Sequence, residues 1–143
     1  MTLNNKSNKY WERIETSPEL IKTTLELAKR DLEVSEKLLQ GKSLDWCLSI
    51  SYNSMLQTGR ALMFSKGFRP KGQNKHVAVV KFVEKEFGKQ LADTILFIFD
   101  KTRKRRHSAV YDQPGTVSLT EAKNTIKIAK EFLEKTEKLL KNF

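Results

Sequence analysis

The chain predicts an all-α fold, an up-and-down antiparallel bundle of four to five helices. Three observations predict it. Apolar residues recur at three- and four-residue spacing through most of the 143 residues. No segment alternates apolar and polar with period two, so no β-sheet is expected. The composition leans to Lys, Leu, Glu and Thr, with only six glycines and three prolines, which favours helix. The length suits one domain with a real core. It is expected to span 16–143, after a flexible N-terminal arm, 1–15.

That arm is polar and Asn/Lys-rich, with at most a short helical turn at 10–14. The first helix is expected over 17–40. Thr16 and Glu19 have capping-box spacing and Pro18 suits a first turn. Ile21, Leu25, Ala28, Leu32, Leu38 and Leu39 mark its apolar face, and Gly41 ends it. The second helix, 44–66, carries Leu48, Tyr52, Met55, Leu56, Leu62 and Met63. Gly59 falls in its middle. A glycine there costs up to about 1 kcal/mol against alanine, so a close helix crossing is expected at that point. The stretch 67–74, GFRPKGQN, reads as a basic loop. A short helix, 75–87, stops at Gly88. The fourth, 89–110, starts apolar (Leu91, Ile95, Ile98, Phe99) and ends basic. After the turn DQPG, the last helix, 118–141, opens with a second capping box, Ser118 and Glu121.

Net charge is +10 and unevenly spread. Residues 1–40 balance to zero, whereas the fifteen residues 101–115 alone hold a net +4. Such local excess points to an anionic partner rather than to general solubilisation. The one cysteine, Cys47, excludes an intrachain disulfide and a cysteine-based metal cluster, and reads as a buried structural thiol. The N-terminal stretch has no signal-peptide core. The longest apolar run, 95–99, is too short to span a bilayer. A soluble cytoplasmic protein that does not contact membranes is therefore expected. Two histidines, His76 and His107, are too few for a metal site, and no cofactor motif is present. Trp11 and Trp46 read as core or interface anchors.

The segment most suited to chemistry is 101–112, KTRKRRHSAVYD. Five of its first six residues are basic, a histidine follows, and Tyr111 and Asp112 close it. Arg103, Arg106 and His107 share one helical face, while Lys101, Lys104 and Arg105 flare to the other side. Helix-end cations are favoured by the dipole, but that accounts for one or two of them, not five. Arg103, Lys104, Arg105, Arg106 and His107 are the expected contacts to RNA or a nucleotide; Tyr111 and Asp112 either pack and turn the chain or join that site, and Arg60 beside Gly59 either pairs inside the bundle or faces the site. Metal-free RNA cleavage needs a base for the 2′-hydroxyl and a cation for the phosphorane. His107 and Arg103, four apart on one face, are the candidate catalytic pair.

Two blocks of the chain resemble the HEPN family, in its minimal prokaryotic form. In 51–75, Ser51, Tyr52, Met55, Arg60, Ala61, Leu62, Ser65, Lys66, Gly67, Pro70 and Lys71 stand where the family's second helix and following loop place these residues or close relatives. The second block, 103–112, resembles the family's late-helix basic motif ending in tyrosine–aspartate. The resemblance covers about 25–135. It implies a helical bundle, usually a homodimer, whose late-helix motifs face one cleft. It further implies a metal-independent ribonuclease, or an RNA or nucleotide binder paired with a nucleotidyltransferase in a toxin–antitoxin module. In some such modules the partner nucleotidylates the tyrosine matched by Tyr111.

The chain departs from the ribonuclease motif R-x(4–6)-H. Three residues, not four to six, separate Arg103 from His107. Ala109 stands where ribonuclease members with the closing tyrosine–aspartate have their histidine. Arg69 and His76 fit the spacing literally but bracket the loop, and are read as a chance match. These departures favour binding over cleavage. A non-catalytic adaptor docking an acidic protein is the competing expectation.

Overall fold

The computed structural model describes residues 7–141. Residues 1–6 of the expected arm therefore lie outside the described residues. Five helices dominate: α1 (Pro18–Gln40), α2 (Leu44–Ser65), α3 (Lys75–Phe87), α4 (Asp93–His107) and α5 (Leu119–Leu139). One turn of π-helix, Ser108–Asp112, continues α4. The three-residue link between α1 and α2 makes them an antiparallel hairpin. They form the most extensive helix pair of the bundle.

The all-α class holds, but the expectation of no β-pairing is corrected. Two short strands, β1 (Trp11–Arg13) and β2 (Phe68–Pro70), pair antiparallel, with Glu12 opposite Arg69. The residues expected to form a helical turn at 10–14 are thus extended. Burial drives this. Trp11 and Phe68 both reach the core, where each packs on Phe82, Trp11 edge-on at 5.2 Å. Arg69 Nε donates to Glu12 Oε2 at 2.6 Å across the strands. Gly67, at φ 82°, makes the reversal from α2 into β2.

The helix ends follow local chemistry, with adjustments. Ser17, not Thr16, caps α1, its Oγ accepting from Leu20 N at 3.1 Å. Ser118 caps α5 as expected, accepting from Glu121 N at 3.0 Å. Each such cap contributes about 1 kcal/mol. Gly41 closes α1 at φ −79°, and the left-handed residue is its neighbour Lys42. The fourth helix starts at Asp93 rather than at 89.

Helix α2 is the hub, packed by α1, α3, α4, α5 and β2. Its buried residues face nearly every direction, as an enclosed helix requires. Its buried serine and threonine hydroxyls all donate to backbone carbonyls. Ser51 Oγ donates to Cys47 O and Thr58 Oγ1 to Ser54 O, both at 2.8 Å, while Ser54 Oγ donates across to Ala28 O of α1 at 2.8 Å. Cys47 is buried, and burial pushes its thiol pKa up. Trp11 is a core anchor, whereas Trp46 is 52% exposed.

The crossing expected at Gly59 is present. A Cβ there would stand 2.6 Å from Val79 Cγ1 of α3 and 3.3 Å from Phe99 Cε2 of α4. The missing side chain lets α3 and α4 close on the same point of α2. That approach brings the start of α3 and the basic half of α4 to one edge of the bundle.

Candidate functional site

Tyr52 is the floor of that edge. It is fully buried on α2, and its hydroxyl lies 3.0 Å from His76 Nδ1 at the start of α3. The two rings stack at 5.6 Å. Arg106 of α4 covers the Tyr52 ring, with its guanidinium carbon 5.2 Å from the centroid, and puts Nη2 3.4 Å from the same Nδ1. Arginine only donates, so His76 Nδ1 must accept. The ring is then neutral, with its proton on Nε2. Burial lowers the His76 pKa, and the charges of Arg106, Arg103 and Arg60 lower it further. Burial likewise raises the Tyr52 phenol, so Tyr52 is a donor at any physiological pH.

Arg103 lies one turn before Arg106. Its Nε and Nη2 donate to Asp100 Oδ1 at 3.1 and 2.9 Å. Lys104 Nζ reaches the other carboxylate oxygen at 3.2 Å. Burial alone would raise the Asp100 carboxyl, but these bonds outweigh it and hold the pKa below the ordinary value. Arg60, two turns beyond Tyr52 on α2, lies over the Phe64 ring. Burial lowers its pKa too, although a guanidinium stays charged. The Nε atoms of Arg60 and Arg106 are both buried without a hydrogen-bond partner.

The structure divides the expected site residues into groups. Arg103 and Arg106 line an open hollow of about 500 Å³ with His76, Lys75 and the 72–74 loop. Arg60 lines an adjoining hollow of about 740 Å³ with His76, Lys75, Arg69 and Lys71. Arg105 turns away to α5, where Nε and Nη2 grip Glu121 at 3.0 and 3.1 Å. That bond raises the Arg105 pKa and occupies the acid of the second capping box. His107 is exposed at the end of α4, its ring 5.1 Å from that of Tyr111 and its Nε2 3.9 Å from Asp112 Oδ1. It is not among the residues lining either hollow.

His76 is the member that sequence reasoning passed over. Arg69, its partner in the literal spacing match, is bonded to Glu12 instead. The available signal was weaker: a histidine opening a helix directly after a basic, glycine-containing loop. Nothing in local spacing announces that Tyr52 and Arg106 meet it.

A helical bundle with arginines gathered at the end of its fourth helix is the class defined by fold and site. Comparison with known proteins agrees: the HEPN domain family matches residues 21–139. A protein of Methanocaldococcus jannaschii named as a candidate toxin is 33% identical over 108 residues, covering 74% of this chain and 71% of that relative. The chain belongs to the HEPN domain family. Among the described residues, no helix is long and apolar enough to cross a membrane.

Proposed function

We propose that this HEPN protein binds RNA, or a nucleotide, through the basic half of α4 and Arg60, and works in a toxin–antitoxin-type module. One observation carries the binding: Arg60, Arg103 and Arg106 converge on a neutral His76, and among the described residues Asp100 is the one carboxylate paired with them. Cations that outnumber the carboxylates beside them, Asp100 and Glu12, favour a phosphate ligand. The toxin assignment rests on the similarity to the archaeal candidate toxin. A nucleotidyltransferase partner fits the 67% exposure of Tyr111, which leaves its hydroxyl open to modification. A homodimer fits Phe97, 64% exposed on α4; such a face is commonly covered by a second subunit.

Binding of an unstructured single-stranded RNA, followed against salt, tests the reading. Each phosphate contact contributes roughly 0.7 to the slope of log affinity against log salt. Replacing Arg103, Lys104, Arg105 and Arg106 together by alanine should flatten that slope by about two units or more. An unchanged slope in the folded variant would remove α4 from the interface.

A further inference from the structure

We propose that the hollow bounded by the 72–75 loop, His76, Arg103 and Arg106, with Arg60 in the adjoining hollow beyond His76, is a subsite for a phosphomonoester dianion. This deepens the binding reading above and rests on it. An internal phosphodiester and a terminal phosphate differ in charge, and the site discriminates by charge. Arg103 is offset by Asp100. Arg105 is offset by Glu121 and faces elsewhere. Among the described residues no carboxylate is bonded to Arg60 or Arg106, and each keeps a buried Nε without a partner there. Two guanidinium groups without a bonded carboxylate thus line the two hollows that share Gly72, Lys75 and His76, and the acid beside Arg60, Glu12, is engaged by Arg69. A phosphodiester supplies one negative charge; a phosphomonoester supplies about 1.5 to 2 near neutral pH. The second matches.

The donors match as well. The Tyr52 hydroxyl and Arg106 Nη2 lie 3.0 and 3.4 Å from His76 Nδ1, and with Nδ1 accepting, Nε2–H is left as a neutral donor. A charged imidazole could not take this place, because its Nδ1–H would oppose the Arg106 donor. The Asn74 side chain makes no cap bond to α3, so it does not satisfy the first N–H groups of that helix, which begins beside the same loop. Lys75 lines both hollows. The space is larger than a phosphate needs, and it continues past His76 and Gly72 towards Arg69 and Lys71. The remainder of a nucleotide, or the next residues of an RNA strand, can lie along that path. The shared chemistry is thus a terminal phosphate, carried on an RNA end or on a free mononucleotide.

The experiment uses the full chain and one unstructured RNA decamer in three forms, phosphorylated at the 5′ end, at the 3′ end, or at neither. Affinity is measured at fixed salt, with a nucleoside monophosphate as competitor. One phosphorylated form should bind at least about ten-fold more tightly than the unphosphorylated strand, as a charge-assisted contact to two arginines requires. Competition by the monophosphate at similar affinity would assign the source to a free nucleotide; weak competition would assign it to the RNA end. Arg106→Gln should erase the ratio between the two forms. Arg60→Gln, further from the Tyr52 packing, should reduce it and serves if Arg106→Gln does not fold. Equal affinity of all three strands, with a steep salt slope, would overturn the subsite and leave RNA binding standing. Tight monophosphate binding without affinity for the unphosphorylated strand would uphold the subsite and overturn RNA tracking. Absence of binding to every ligand would overturn both.

Discussion

Gly59→Ala probes the contact on which the site depends. The added methyl would meet Val79 Cγ1 at 2.6 Å and Phe99 Cε2 and Cζ at 3.3 and 3.4 Å. Val79 and Phe99 are both essentially buried, and a β-branched valine has little rotamer freedom to retreat. Overpacking of this kind costs about 1–3 kcal/mol. Removing a mid-helix glycine returns up to about 1 kcal/mol of helix propensity. An approach of 2.6 Å to a buried valine belongs to the upper part of that range, about 2–3 kcal/mol, so the net destabilisation is about 1–2 kcal/mol. For a chain of this size that lowers the Tm by about 3–6 °C, measurable by circular dichroism. Val79→Ala removes the nearest clashing atom, so the double variant should lose less than the two single losses added, by at least about 0.5 kcal/mol. Because the same crossing presents His76 and Arg106 to Tyr52, Gly59→Ala should also weaken phosphate binding. An unchanged or raised Tm would refute the close-crossing argument, whatever happened to binding.

Two further outcomes are expected. The His76 pKa is lowered in the folded chain from 6.5, so the unfolded state takes up the proton first. Stability is then full above about 6.5 and falls as pH drops through the window down to the folded value. Urea unfolding at pH 7.5 and 5.5 should show this loss and His76→Gln should lessen it; identical pH dependence in the two proteins would refute a neutral, arginine-flanked His76. Unstructured RNA incubated in excess EDTA should be bound and left intact, because His107 sits with Tyr111 and Asp112 while Arg103 lines the His76 hollow. Cleavage that falls by about 10²–10⁴-fold in His107→Ala would instead establish His107 as the base, with Arg103 as its phosphate stabiliser.

What the sequence determined by itself is local or periodic. Apolar spacing placed all five helices, Ser118 marked the start of the last, and the mid-helix Gly59 announced a close crossing before any neighbour was known. The family was legible because its motifs are contiguous blocks, one running from α2 through the loop after it and the other along the end of α4. The extended Trp11–Arg13 segment was not legible, since it depends on burial of Trp11 against Phe82 and pairing with 68–70, far away in the chain. The chemistry of the site divides the same way. That α4 is basic is a property of its sequence. Which of its cations are available is not: Glu121 of α5 removes Arg105, Asp100 engages Arg103 and Lys104, and Arg106 is left facing His76. His76, thirty residues from Arg106 and twenty-four from Tyr52, joins the site only because α3 and α4 both pack on α2. A helix face is set by a repeat of three to four residues, whereas a meeting of three helices is set by the packing of side chains far apart in the chain, and only the tertiary structure decides it.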